Sequence, residues 1–141
     1  MTPMQTKGVK KYPISISDYR ITRTLVDISD SELDKDLNIQ IKIESSKKGN
    51  DFTVLLTVIV LNKNKTINID TSIKGWFSCS DDSLIEKIPS FMQSEAPAIL
   101  YPYLRAHISS LTSLANIAPI VLPVISNQDF KKNFEKETKE Q

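Results

Sequence analysis

From Leu37 to Glu44 apolar and polar residues take turns, with Ile39, Ile41 and Ile43 set against Asn38, Gln40, Lys42 and Glu44. A repeat of two predicts a strand with one wet face. Phe52 to Leu61 is apolar and β-branched on both alternations, which predicts a central strand with both faces covered. The SSKKGN stretch between these runs supplies a turn. After LNKNK the alternation returns: Ile67, Ile69, Thr71 and Ile73 point one way, while Asn68, Asp70, Ser72 and Lys74 point the other. This strand runs on into Gly75, Trp76 and Phe77. Tyr19 to Val26 reads as a further strand, with Tyr19, Ile21 and Leu25 on one side. The short connections predict antiparallel neighbours.

Beyond Cys79 the period changes. Ser80 to Ser83 offers helix-capping side chains ahead of Leu84, Ile85 and Ile88, a short helix or turn that Pro89 interrupts. From Pro97 onward Leu100, Leu104, Ile108, Leu111 and Leu114 recur at helical steps, and Ile99 and Tyr103 widen the stripe, so the main helix lies here. Pro97 fits its first turn, whereas Pro102 removes one backbone hydrogen bond and bends the segment near its start. Asn116 is placed to cap its end. APIVLPVISN is then held extended by Pro119 and Pro123, and QDFKKNFEKETKEQ predicts a charged C-terminal helix with Phe130 and Phe134 four apart.

At 141 residues the chain is the size of one domain, 1–141, with residues 1–16 and 136–141 expected to be flexible. Lys plus Arg number 18 against 17 Asp plus Glu, a net charge of +1, so nothing in the global field favours nucleic acid. There is no run of apolar residues long enough for membrane insertion, and no apolar stretch follows the N-terminal lysines as a secretory leader requires. With one cysteine, Cys79, no internal disulfide and no CxxC metal site can form, which suits a reducing, cytoplasmic setting.

Chemistry has little to work with. General acid–base and nucleophilic mechanisms need convergent groups, and the chain holds one histidine, His107, besides Cys79. His107 lies between Leu104 and Leu111 and reads as a structural residue, and Cys79 as a small buried thiol. Three glycines, none spaced as GxGxxG or a P-loop, leave no phosphate cradle. The expectation is a non-catalytic protein with no metal and no cofactor. Trp76–Phe77, Phe91–Met92 and Tyr101–Tyr103 either fill a core or line a groove that takes varied apolar segments.

Ala96-Pro97-Ala98-Ile99-Leu100-Tyr101-Pro102-Tyr103-Leu104-Arg105, then Ile108-Ser109-Ser110-Leu111-Thr112 and Pro119-Ile120-Val121-Leu122-Pro123, resembles the signature block of the SecB protein-export chaperones. In that family a helix opens on a Pro-x-Ile-Leu-Phe-Pro-Tyr-x-Arg run and leads to a Pro-x-Leu-x-Leu-x-Pro-x-Asn segment. Gly75-Trp76-Phe77-Ser78 is similar to the family's Gly-x-Phe strand end. The match spans roughly Leu37 to Asn127.

The resemblance implies an α+β fold: a four-stranded antiparallel sheet with a long helix and a C-terminal helix packed on it, assembled as a homotetramer, a dimer of dimers. It implies an ATP-independent holdase that binds unfolded client proteins in apolar grooves and passes them to the SecA motor. Client contacts would then fall on Trp76, Phe77, Tyr101, Tyr103, Ile120 and Leu122, and oligomer contacts on Leu100, Leu104, Ile108 and Leu111. Asp70 matches an exposed sheet position at which members that serve SecA carry carboxylates. Arg20 and Arg23 on the first strand depart from that acidic pattern. Two alternatives stand beside export: a family branch that guards the antitoxin of a toxin–antitoxin pair, and a non-catalytic α+β interaction or ligand-binding domain.

Overall fold

The computed structural model describes residues 14–132. Its strands are β1 (Ile14–Ile28), β2 (Leu37–Lys48), β3 (Asp51–Asn62) and β4 (Ile67–Cys79), followed by a 3-10 helix (Asp82–Lys87), α1 (Ile88–Gln93), α2 (Glu95–Leu114) and α3 (127–132). Phe134, the remainder of the stretch expected to be helical and the 136–141 tail lie outside the described residues. So does the N-terminal segment up to residue 13, while residues 14–16 open β1.

β2, β3 and β4 form a meander in which every pair is antiparallel. β1 does not pair with its neighbour in sequence. The order is β1-β4-β3-β2, so the 29–36 connection crosses from one edge of the sheet to the other. The turn between β2 and β3 is tighter than SSKKGN suggested: β2 continues through Lys48, and Gly49 takes the left-handed conformation at φ 62° that the turn requires.

Alternation along β3 and β4 decides which layer each residue joins. Phe52, Val54, Leu56, Val58 and Val60 of β3, with Ile67, Ile69, Ile73 and Phe77 of β4, are buried beneath α2. The expectation that both faces of β3 are covered fails. Leu55, Ile59 and Leu61 face the other way and are only half-buried, because no layer among the described residues covers that face. We call it the outer face.

β1 corrects a second expectation. Its register against β4 slips between Ile16 and Asp18 and again between Ile21 and Arg23. Each bulge adds a residue, and a one-residue slip sends the following side chains to the opposite face. Tyr19 and Ile21 therefore look toward α2, Leu25 lies on the outer face, and Thr24 and Val26 take its place.

α2 lies on the sheet through Ala96, Leu100, Tyr101, Leu104, Ile108 and Thr112. Pro97 sits in its first turn and Pro102 inside it. Its end is a Schellman closure: the Asn116 amide donates to the Ser113 carbonyl (3.1 Å) and the Ile117 amide to the Thr112 carbonyl (3.2 Å), with Asn116 left-handed at φ 62°. α3 starts on a reciprocal cap in which the Asp129 amide donates to Ser126 Oγ (3.2 Å) and the Ser126 amide to Asp129 Oδ2 (3.0 Å).

Candidate functional site

Two irregular segments, the 29–36 crossover and the 117–125 stretch after α2, face each other across the end of the sheet. Between them runs an apolar groove of about 330 Å³, lined by Leu33, Leu37, Ile67, Ile117, Pro119, Ile120 and Val121. Its charged lining residues, Asp34 and Lys35, are of opposite sign.

Hydrogen bonds hold each wall in place. The crossover is tied to the β3–β4 turn: the Ser29 amide donates to the Thr66 carbonyl (2.8 Å), the Lys63 amide to the Asp36 carbonyl (2.9 Å), and Asn62 Nδ2 to the Asp34 carbonyl (3.2 Å). Asn62 is buried and also accepts from the Ile67 amide (2.9 Å), so one side chain joins the turn to the crossover. The opposite wall hangs from α2. Thr112 Oγ1 accepts from the Ile120 amide (2.9 Å), Ser109 Oγ donates to the Ile120 carbonyl (2.9 Å), and the Tyr101 hydroxyl donates to the Pro123 carbonyl (2.6 Å). Burial raises the Tyr101 hydroxyl above its ordinary value, partly opposed by Arg105, and keeps it a donor.

The residues that the resemblance singled out for clients separate. Phe77 is buried in an aromatic cluster with Phe52 and Phe91, at ring separations of 5.1 and 5.9 Å. Tyr101 is buried edge-on against Phe130 and serves as an anchor instead of a contact surface. Ile120 and Leu122 turn inward and are buried, while Val121 and Val124 between and beyond them are 69% and 77% exposed. Trp76 stands on the outer face beneath Lys74 Nζ, 5.4 Å from its ring centroid, away from the groove. Tyr103 is 44% exposed and stacks on Tyr19 at 4.1 Å, on the flank of α2 that faces β1.

The residues that the resemblance singled out for oligomer contacts do not form a free surface either. Leu100, Leu104 and Ile108 are completely buried against their own sheet, because the apolar stripe of α2 is consumed by the protomer's core. Leu111 is half-buried at the margin. The uncovered side of α2 carries Ile99, Tyr103 and, at its end, Leu114, which is 85% exposed. Asp70 does lie on the outer face, yet Arg23 Nε stands 3.5 Å from its Oδ1. That oxygen is shielded from solvent and makes no hydrogen bond, so it is answered by the arginine alone, while the Asp70 side chain as a whole stays 25% exposed.

His107 and Cys79 do not meet. The Cys79 thiol donates to the Asp81 carbonyl (3.2 Å), and Cys79 pairs across the sheet with Ile14. His107 Nε2 instead bonds Thr24 Oγ1 (3.0 Å), ten residues further along β1, roughly 30 Å at the rise of a strand. Among the described residues no cluster of His, Cys, Asp and Glu could hold a metal ion, and no helix is long and apolar enough to cross a membrane.

Sequence reasoning missed Leu33, Leu37 and Ile117 as groove residues and Asn62, Ser109 and Thr112 as the side chains that position its walls. Leu33 sits alone among charges in SDSELDKD, and no periodicity announces it.

An apolar trough thus lies at one end of a β-meander crossed by one long helix. The family model of the preprotein translocase subunit SecB matches residues 21–141, and the chain belongs to the SecB family of chaperones. Among relatives, an uncharacterized protein of Methanocaldococcus jannaschii is 30% identical over 112 residues, covering 74% of this chain and 71% of its own. The protein-export protein SecB of Anaplasma phagocytophilum is 27% identical over 130 residues, 78% of each chain. Among solved structures, the Mycobacterium tuberculosis SecB-like chaperone in complex with an antitoxin peptide superimposes with a TM-score of 0.70 at 18% identity, over 81% of this chain and 88% of that one. That likeness bears out the four-stranded sheet with a long helix and a C-terminal helix.

Proposed function

We propose that this chain is an ATP-independent holdase that binds non-native polypeptides in the groove between the 29–36 crossover and the 117–125 segment. One observation carries the reading: both groove walls are fixed by hydrogen bonds to the sheet and to α2, and among the described residues nothing fills the trough between them. Leu33, Leu37, Ile117 and Val121 present aliphatic surface whose burial by a guest yields about 25 cal/mol per Å². A protein that binds only the unfolded state lowers the concentration free to aggregate, with no nucleotide and no catalytic group. In this reading the chain works in the cytoplasm as a dimer of dimers, joined through the uncovered side of α2 and the open edge of β1.

Light scattering of a chemically unfolded client, diluted with and without the protein and without ATP, tests this. Suppression of aggregation at stoichiometric amounts is the expected result. Undiminished scattering at several-fold excess would refute a holdase.

Delivery to the SecA motor is the first destination to consider, and the guarding of an antitoxin is the second. The outer face favours the second. It carries Asp18, Asp27, Glu44, Asp51 and Asp70 against Arg20, Arg23, Lys42, Lys48 and Lys74, so charges of the two signs balance where a motor-binding face would be acidic. The similar mycobacterial chaperone binds an antitoxin peptide. Affinity purification from the native cells separates the two: SecA in the eluate supports export, and a small basic antitoxin supports the guard.

A further inference from the structure

We infer that the outer face carries a binding site for a short acidic segment of a partner polypeptide, built from Arg20 and Lys74 beside the Trp76 ring. The site lies apart from the groove: Trp76 is nine residues along β4 from Ile67, roughly 30 Å at the rise of a strand, and on the other face of the sheet. It does not depend on the client-binding reading.

Arg20 and Lys74 are direct partners in the β1–β4 register. Tyr19, Ile21, Ile73 and Gly75 beside them turn toward α2, so both cations stand on the outer face. Like charges directly opposite each other on paired strands destabilise a sheet. Among the described residues no carboxylate relieves them. The ion pair there is Arg23 with Asp70, and Asp18, the nearest carboxylate along β1, accepts from the Tyr19 amide (2.8 Å). Lys74 rests over Trp76 instead, its Nζ 5.4 Å from the ring centroid. A negative group seated between Arg20 and Lys74 would turn their repulsion into two attractions.

Beside this pair the face dips into a basin of about 660 Å³, whose lining includes Ser46, Lys48, Asp51, Thr53, Lys74 and Trp76. Lys48 brings a further cation from β2, Ser46 and Thr53 bring hydroxyl donors, and the half-buried indole gives a flat apolar platform. The chain enters β1 at this end, opposite Cys79, and the sequence ahead of Ile14 holds Lys7, Lys10 and Lys11 and no carboxylate. Signs that balance over the whole face are therefore weighted positive here. Asp18, Glu44 and Asp51 border the cations. A nucleic-acid backbone, charged at every residue, would meet those carboxylates, whereas one or two acidic side chains next to an aromatic one fit between them.

Trp76 is the chain's one tryptophan, so its emission reports occupancy directly. The probe is the acetylated peptide amide Gly-Glu-Phe-Glu-Gly, set against Gly-Gln-Phe-Gln-Gly, each titrated into the full chain at low salt. The acidic peptide is expected to change Trp76 emission saturably and to bind about three- to ten-fold more tightly than the neutral one, the worth of two partly exposed charge contacts. Arg20→Gln and Lys74→Met should each weaken the acidic peptide about two- to five-fold and leave the neutral one unchanged. Arg20→Gln should also raise the thermal midpoint, because it removes the repulsion across the strands.

Equal affinity for the two peptides, or no saturable response at millimolar acidic peptide, overturns the inference. So does an Arg20→Gln protein that melts lower, which would make the pair a support of the sheet. If a variant fails to fold, the two peptides on the unaltered protein decide. Tighter binding of a short oligothymidylate than of the acidic peptide overturns it in favour of nucleic acid. None of these outcomes bears on the groove, which the aggregation assay tests separately.

Discussion

Thr112 shows how much one side chain carries. Its hydroxyl oxygen accepts the Ile120 amide at 2.9 Å while its proton serves the Ile108 or Ser109 carbonyl at 2.9 and 3.1 Å. It is fully buried, so no water can replace it. Thr112→Val keeps the volume and strands the Ile120 amide, at an expected cost of about 1–3 kcal/mol. Chemical denaturation should show the lowered midpoint, and Thr112→Ser should recover most of it. In the sequence this threonine is merely a polar interruption between Leu111 and Leu114, since nothing local says that a backbone amide eight residues on will need an acceptor. Tyr101 misleads in the opposite sense: an aromatic in an apolar run suggests a contact for guests, whereas the structure sinks it in the core and spends its hydroxyl on Pro123.

Among the elements, β4 and α2 meet at Gly75. A methyl group there would stand 2.8 Å from Leu100 Cδ2, 3.1 Å from Leu100 Cδ1 and 2.8 Å from Phe77 Cε1, and both of those side chains are buried. Gly75→Ala should therefore cost about 1–3 kcal/mol by lifting α2 from the sheet, visible as a lower thermal midpoint. α3 carries a pH dependence. The Asp129 carboxyl is held below its ordinary value of 3.8 chiefly by the Ser126 amide and then by the Ser126 hydroxyl. A carboxyl depressed by folding contributes stability that is complete above 3.8 and is lost as pH falls through its lower folded value. Amide exchange at Asp129 and Phe130 should quicken over that acidic window; Asp129→Asn should remove the dependence, and Ser126→Ala, which keeps the Ser126 amide, should only lessen it. The strands themselves were legible because a period of two survives in short windows. The side on which Leu25 falls was not, for a bulge is dictated by pairing with β4 and leaves no mark in β1's own residues.

At the scale of the whole molecule the described residues leave apolar surface exposed: Ile99, Tyr103 and Leu114 on α2, Tyr19 and Val26 on β1. Tyr103 is the most useful probe, since it is 44% exposed in the protomer and its replacement leaves the core untouched. In the proposed dimer of dimers Tyr103→Asp would bury an unpaired carboxylate at a cost of several kcal/mol, a hundredfold or greater loss in assembly. Sedimentation should show a smaller species with unchanged circular dichroism, and an unchanged mass would place the interface elsewhere. Leu100, Leu104 and Ile108 are unsuited to this test, because charges there would unfold the protomer before reporting on assembly.

The order of strands and helices and the position of the long helix follow from the chain alone, because periodicity and proline placement are local quantities. The signature block from Ala96 to Arg105 carries the family in the same way. Tertiary structure alone decided that β1 crosses to the far edge, that the helix stripe serves the protomer's own core, and that the groove is built from Leu33, Leu37 and Ile117 instead of the aromatic pairs. These depend on contacts between residues far apart in the chain, such as Asn62 with Asp34 or Ser109 with Ile120, and no window of sequence contains both partners and the geometry that joins them.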